Sequence, residues 1–204
     1  MKTIYLILLM LGFNAMYAHN PDISSLMIYE QNGKSILLIK SSLTAFEGEV
    51  DFNFGKGAFK TPEEFNQLII QHFQKNCFVV ANGDTLRFSN PQVQLGHETN
   101  LFAELESVPK SIHTLHVKCA LFKDMHHNQC ELILTINGLP QKQYILNNDN
   151  HQEVRLKAEN NKWVVFETSK PFYSNSIFLI GAAFLLLASI IGFFAIKRQS
   201  QLAI

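Results

Sequence analysis

Short runs of apolar residues, separated by turn residues, recur along most of the chain and predict β-strands. Asn32-Gly33 stands between two such runs, and both residue types tolerate the positive φ that a tight hairpin needs. Asn82-Gly83-Asp84 predicts a second hairpin in the same way. The segments Ser35–Ser41 and Thr44–Phe54 are also interpreted as strands. Short strands at this regular spacing are typical of a β-sandwich.

One segment has the periodicity of a helix instead. Thr61-Pro62-Glu63-Glu64 forms a capping box, in which Thr61 is the N-cap, Pro62 takes the first helical position and Glu64 reaches back. Apolar residues then recur every three to four positions until about Lys75. The sequence therefore predicts a mainly β fold: a β-sandwich-like exported domain with one short helix, plus one C-terminal transmembrane helix.

The two ends of the chain are apolar in different ways. Residues 1–18 combine Lys2, a short apolar run and Ala18, which is the pattern of a cleaved signal peptide; an uncleaved anchor is the alternative. The stretch 177–196 contains no charged residue, and about 20 such residues suffice for a helix to cross a bilayer. We therefore expect a signal peptide at 1–18, an exported β-rich domain at 19–170, a transmembrane helix at 177–196 and a cytoplasmic tail at 197–204.

This topology predicts a single-pass protein of the cell membrane whose main domain is extracytoplasmic. No Asn-x-Ser/Thr triplet occurs, which favours a bacterial envelope. The stretch 177–196 lacks the polar groups of a transport path, so we expect it to be an anchor in contact with membrane lipid. The formal net charge of +0 argues against a nucleic-acid partner, which a clustered basic surface would attract. A second membrane protein is the other partner to consider.

Histidines supply the candidate chemistry. Cleavage after Ala18 would make His19 the first residue, and its α-amine and imidazole could then chelate one metal ion. His126 and His127 lie in a loop between two predicted strands, where they could converge with Asp124 or Met125. Imidazole suits copper and nickel, so these are the expected metals. The alternatives are a solvated N-terminal tail and an ordinary polar loop.

No catalytic motif is present, neither a Gly-x-Ser-x-Gly turn, nor a Walker loop, nor a His-Glu-x-x-His helix. Glu47, Glu49 and Asp51 alternate along the predicted strand Thr44–Phe54, as acidic residues do on a solvated strand face. His72 and His97 are isolated in the sequence and are expected at the surface. The prediction is that the protein is not an enzyme.

Two of the three cysteines fall at matching positions of a predicted hairpin. If the chain folds back at Asp124-Met125, Cys119 faces Cys130 and Lys118 faces Glu131, which makes one apolar and one charge-paired face. Facing residues at a non-hydrogen-bonded position approach to about 4.5 Å between Cα atoms, at the short end of disulfide geometry. Three alternatives therefore remain for Cys119 and Cys130: a disulfide, two buried free thiols or a pair of metal ligands.

Several short stretches are similar to a known family. They are His19-Asn20-Pro21-Asp22-Ile23-Ser24-Ser25, Ser42-Leu43-Thr44-Ala45-Phe46-Glu47, Thr61-Pro62-Glu63-Glu64-Phe65 and Leu95-Gly96-His97-Glu98-Thr99-Asn100. Over roughly 19–167 the chain resembles the exported N-terminal region of hydrogenase/urease accessory membrane proteins of the HupE/UreJ type. The resemblance implies handling of nickel or a related metal, with contact through His19. That family's multi-helix permease has no counterpart in this sequence.

The sequence thus predicts a membrane-anchored extracytoplasmic binding domain that handles copper or nickel through the processed His19, with His126 and His127 as further ligands. The alternative is a non-catalytic interaction or scaffold module for a partner membrane protein.

Overall fold

The computed structural model describes residues 23–136 and 138–166, and over these ranges the chain is mainly β. The described strands are β1 (Ile23–Gln31), β2 (Lys34–Ser42), β3 (Cys77–Ala81), β4 (Asp84–Thr85), β5 (Arg87–Gln94), β6 (Glu98–Glu106), β7 (Thr114–Cys119), β8 (Gln129–Thr135), β9 (Lys142–Leu146), β10 (Glu153–Glu159) and β11 (Lys162–Val165). Two α-helices follow β2, namely α1 (Leu43–Phe54) and α2 (Pro62–Asn76), and a 3-10 turn at Asn148–Asn150 precedes β10. The prediction of a mainly β domain is confirmed.

Four predicted features lie outside the described residues: the signal peptide at 1–18, the transmembrane helix at 177–196, the tail at 197–204 and the candidate ligand His19. Within the described ranges, no helix combines the length and apolar character that crossing a bilayer requires.

Six strands form the larger sheet, in the order β5-β6-β2-β1-β8-β9. The β1–β2 hairpin turns at Asn32 and Gly33, whose φ angles are 53° and 76°, so the hairpin prediction is confirmed. On its other side β1 pairs with β8 in parallel, with Ile23 opposite Gln129. Strands β1 and β8 therefore enter the sheet side by side at the same end.

Five strands form the smaller sheet, in the order β11-β10-β7-β3-β4. The predicted turn at Asn82-Gly83-Asp84 joins β3 to the two-residue strand β4, and Asn82 and Gly83 have φ angles of 54° and 96°. The Asn82 side chain also accepts hydrogen bonds from the His113 and Thr114 N–H groups, at 2.7 and 3.1 Å. One asparagine therefore shapes the hairpin and fixes the start of β7.

The two sheets share one hydrophobic core. In β1, β6, β7 and β8 buried residues alternate with more exposed ones, as the period of two requires. Leu26 of β1 and Leu132 of β8 come from the larger sheet, while Val117 of β7 and Leu156 of β10 come from the smaller one, and all four are at most 1% exposed. Burying one such side chain contributes about 1.5–3 kcal/mol relative to leaving it exposed.

The segment predicted as a strand at Thr44–Phe54 is instead helix α1. Ser42 is its N-cap, and the Ser42 hydroxyl accepts a hydrogen bond from the Ala45 N–H at 3.1 Å. Phe46 and Val50 lie one turn apart and are both buried against the core. The expectation of a single short helix was therefore wrong: the chain has this helix in addition to α2.

The predicted N-cap of α2 at Thr61 is confirmed, and Pro62 takes the first helical position, but Glu64 reaches back to the residue before the cap, so the capping box is only half formed. The Thr61 hydroxyl accepts a hydrogen bond from the Glu64 N–H at 3.2 Å, and the Glu64 carboxylate accepts one from the Lys60 N–H at 2.6 Å. Phe65, Ile69 and Phe73 then line the buried face of the helix. The helix ends at Asn76, one residue beyond the expected end.

The predicted hairpin between β7 and β8 is wrong. Strand β7 pairs with β3 and β10, whereas β8 lies in the other sheet between β1 and β9. Cys119 consequently faces Cys77, and Lys118 lies 3.7 Å from the Glu153 carboxylate. Cys119 and Cys130 are not bridged, and all three cysteines are free and buried. The chain between the two strands crosses from one sheet to the other.

Candidate functional site

The segment that crosses between the sheets, 120–128, carries the two histidines predicted as metal ligands. Successive turns shape it, with hydrogen bonds from the Met125 N–H to the Phe122 carbonyl at 3.2 Å and from the Asn128 N–H to the Met125 carbonyl at 3.4 Å. Phe122 is 1% exposed and packs edge-on against Phe46, with ring centroids 5.0 Å apart. The loop is therefore fixed at its base.

His126 and His127 occupy the exposed tip of this loop. Their rings are tilted by 37° with centroids 4.1 Å apart, and His127 has a φ of 66°. Of the two further ligands that the sequence suggested, Asp124 is exposed, whereas Met125 is half-buried and packs against the core. The two imidazoles therefore lie side by side, whereas the Met125 side chain packs against the hydrophobic core.

The parallel pairing of β1 with β8 determines what lies near these rings. His127 precedes Gln129 by two residues, and Gln129 is opposite Ile23, the first described residue. His19 itself lies outside the described residues. The first described residue therefore lies beside the strand that follows the histidine loop.

An open polar cleft adjoins the same end of the larger sheet. Ile23 lines it together with His97, Lys40, Glu98 and Glu131. His97 is exposed, as expected, and its carbonyl accepts a hydrogen bond from the Leu43 N–H at 3.3 Å, next to the start of α1. Lys40 and Glu98 form an ion pair at 3.4 Å. Both signs of charge and an imidazole therefore line the cleft together with Ile23.

The cleft also contains serine and threonine hydroxyls, from Ser24, Ser25, Ser41, Ser42 and Thr44. The Ser41 hydroxyl is buried and has no hydrogen-bond partner among the described residues. A buried hydroxyl without a partner lowers folding stability by about 1–3 kcal/mol. A polar ligand bound in the cleft would supply the missing hydrogen bond. The hydroxyls thus extend the polar character of this sheet end into the cleft.

A buried ionisable pair, Glu49 and His72, lies below the loop, and the sequence interpretation missed it. The His72 side chain is 4% exposed and that of Glu49 is 2% exposed, with His72 Nε2 3.5 Å from Glu49 Oε2. His72 Nε2 is also 2.8 Å from the Leu121 carbonyl, and the Asn76 amide lies 3.1 Å from His72 Nδ1. These contacts fit an imidazole that carries its proton on Nε2 and donates to Leu121.

Both residues of this pair were expected at the surface, and both expectations were wrong. Glu49 was assigned to a solvated strand face, but the helix turns it inward, where Asn53 donates a hydrogen bond to its carboxylate at 3.2 Å. His72 follows the buried Ile69 by three positions, which is a helical signal of burial. Because His72 binds the Leu121 carbonyl, the pair connects both helices to the base of the histidine loop.

The outer face of the larger sheet carries a row of apolar side chains. Phe102 is opposite Leu38, Leu38 is opposite Met27, and Met27 is opposite Ile133, so the row runs across four adjacent strands. These residues alternate with the core residues of their strands and therefore point away from the core. Leu38 is 8% exposed, and the other three are half-buried.

Within the described ranges, no group of three His, Cys, Asp or Glu side chains is arranged to hold a metal ion. His126 and His127 supply two imidazoles, so a complete metal centre would need a further ligand. Comparison of the sequence with models of known protein families finds no match, and comparison with curated proteins finds none either. The resemblance to the exported region of HupE/UreJ-type proteins therefore stays a hypothesis.

Proposed function

We propose that this chain is a membrane-anchored extracytoplasmic binding domain that holds a copper or nickel ion between its processed N-terminus and the histidine loop. His19 would supply its α-amine and its imidazole, and His126 and His127 would supply further imidazoles. The chain would bind the metal without catalysing a reaction.

The parallel β1–β8 pair is the observation that carries this proposal. It places Ile23 opposite Gln129, which follows His127 by two residues. His19 precedes Ile23 by four residues, a span of at most about 14 Å, so the chelate at the processed N-terminus would be within reach of the loop. The ligands in the loop are exposed and adjacent, as a surface metal site requires. A terminal amine and imidazole on one residue form a chelate, and an added loop imidazole would tighten it.

The test is Cu(II) titration of the full-length protein in detergent, after mass spectrometry of its N-terminus. A Gly inserted before His19 displaces the amine, His19→Ala removes the ring, and the double variant His126→Ala/His127→Ala removes the loop ligands. Each should weaken Cu(II) binding at least tenfold, which corresponds to about 1.4 kcal/mol.

His113→Ala is the matched control, because His113 is exposed and precedes the other end of β7. His72→Ala would be a poor control, since it removes a buried structural contact. Equal affinity in all variants would contradict the proposal. Weakening by the His19 changes alone would restrict the site to the N-terminus.

The apolar row on the outer sheet face favours a second candidate function, an interaction module for a partner membrane protein. Half-buried Met27, Phe102 and Ile133 would lose further contact with water if a partner covered them. The titration separates the two functions, because an interaction module without a metal shows no dependence on His19 or on the loop histidines.

A further inference from the structure

All three cysteines of the chain meet at one place in the core. Cys77 begins β3, Cys119 ends β7, and Cys130 lies at the start of β8 in the opposite sheet. They are 5%, 1% and 1% exposed. The Cys77 thiol hydrogen-bonds the Cys119 thiol, with 3.5 Å between the sulfur atoms, and Cys119 also contacts Cys130. An exported chain thus places an odd number of thiols within reach of one another.

The backbone distinguishes one pair of these three. Cys77 and Cys119 are direct partners in the antiparallel β3–β7 ladder. The Ala120 N–H donates to the Asn76 carbonyl at 3.0 Å, one residue outside the pair on each strand, which makes Cys77 and Cys119 a non-hydrogen-bonded pair. At such positions the Cα atoms approach to about 4.5 Å, inside the range that a disulfide spans.

We propose that Cys77 and Cys119 form a disulfide in the exported protein and that Cys130 stays a free thiol. The inference depends on export into an oxidising compartment and not on the metal site. The register and the sulfur–sulfur contact already bring the two cysteines together, whereas Cys130 approaches Cys119 from the opposite sheet.

The reaction is a thiol–disulfide exchange with a disulfide donor, either an oxidised dithiol oxidoreductase or glutathione disulfide. One cysteine thiolate attacks a donor sulfur, forms a mixed disulfide and expels a donor thiolate. The second cysteine thiolate then attacks the mixed disulfide and expels the other donor thiolate. Two electrons pass to the donor, and the two protons released by Cys77 and Cys119 end on the donor thiols.

Burial of the thiols determines the stage of folding at which this exchange can occur. Contact with Cys130 lowers the pKa of Cys119, but contact with Cys77 and burial outweigh it and hold that pKa well above its ordinary value. The contact with Cys119, together with burial, also raises the pKa of Cys130 well above the usual range. Thiols of this kind are inert in the folded core. The bond must therefore form during folding, while β3 and β7 are pairing and the sulfur atoms are accessible.

The first test maps the thiols of the full-length protein isolated from membranes. Free thiols are alkylated in denaturant under non-reducing conditions, and the digest is analysed by mass spectrometry. We expect the Cys77 and Cys119 peptides to be linked and Cys130 to be alkylated. A Cys119–Cys130 link, or three alkylated cysteines, would overturn the proposal.

The second test compares thermal unfolding with and without a reductant, so that each variant is its own reference. Closing the long loop between Cys77 and Cys119 should raise Tm by roughly 10 °C. Reduction should remove this increment from the wild type and from Cys130→Ala, and should change nothing in Cys77→Ala or Cys119→Ala. If Cys130→Ala loses its response to reductant, Cys130 belongs to the bridge and the assignment is wrong.

Discussion

His116 on β7 illustrates how a single half-buried residue couples stability to pH. Burial is the main cause that lowers the pKa of His116, and it outweighs the favourable charge of Glu153, whose carboxylate lies 3.5 Å from His116 Nε2. The positive charges of Arg155 and Lys118 act in the same direction as burial. The folded protein therefore favours the neutral imidazole.

The lowered pKa of His116 determines the direction in which folding stability changes with pH. As the pH falls below about 6.5, the unfolded chain binds a proton at His116 more readily than the folded protein does, so folding stability decreases. His116→Gln should reduce that decrease. Urea unfolding at several pH values, followed by the fluorescence of the buried Trp163, measures it. His113→Gln, at an exposed histidine beside the same strand, should leave the profile unchanged; a wild-type profile in His116→Gln would refute the expectation.

Helices α1 and α2 differ in how far local sequence determines them. The Thr61 cap and Pro62 act within one turn, so the start of α2 could be predicted. In α1, the apolar residues Phe46, Val50 and Phe54 fit a four-residue period, but Phe52 between them also suggests alternation. Tertiary burial of Phe46 and Val50 decides in favour of the helix, and the Ser42 cap was the local signal that could have indicated it.

Strand partners were harder to predict than strands. The inward face of β7, with Leu115, Val117 and Cys119, follows from the alternation of apolar and polar residues. Its partners do not, because many strands of this chain have one apolar face and alternation cannot choose between them. The histidine loop could be located from the sequence, because it lies between two recognisable strands. Its position beside the start of β1 depends on the non-local β1–β8 pairing, which alternation does not predict.

The buried pair that joins α1, α2 and the histidine loop should behave as a unit. Either single variant, Glu49→Leu or His72→Leu, takes one polar contact from the buried residue that remains, so each should cost about 1–3 kcal/mol. The double variant should cost less than the sum of the two. Urea unfolding of the four proteins gives the coupling energy. Glu47→Leu, at an exposed position of the same helix, should change stability by no more than about 0.5 kcal/mol. Additive costs would show that the two side chains act independently.

At the scale of the whole molecule, the sequence predicts that the β-rich domain and the C-terminal residues lie on opposite sides of the membrane. Protease added to cells with a permeabilised outer layer should digest the domain and leave a small fragment that contains 177–204. A cytoplasmic protein in the same cells should stay intact and serves as the control. Protection of the whole domain would contradict this topology.

The parallel β1–β8 pair also has a consequence for the order of folding. The first strand is synthesised early, yet one of its two neighbours follows only after about 100 further residues, and contacts of such high sequence separation slow folding. The β1 edge of the β1–β2 hairpin therefore stays unpaired until β8 has been synthesised. If the domain is exported as proposed, this unpaired edge is the surface that a chaperone outside the cytoplasm would have to cover until β8 arrives.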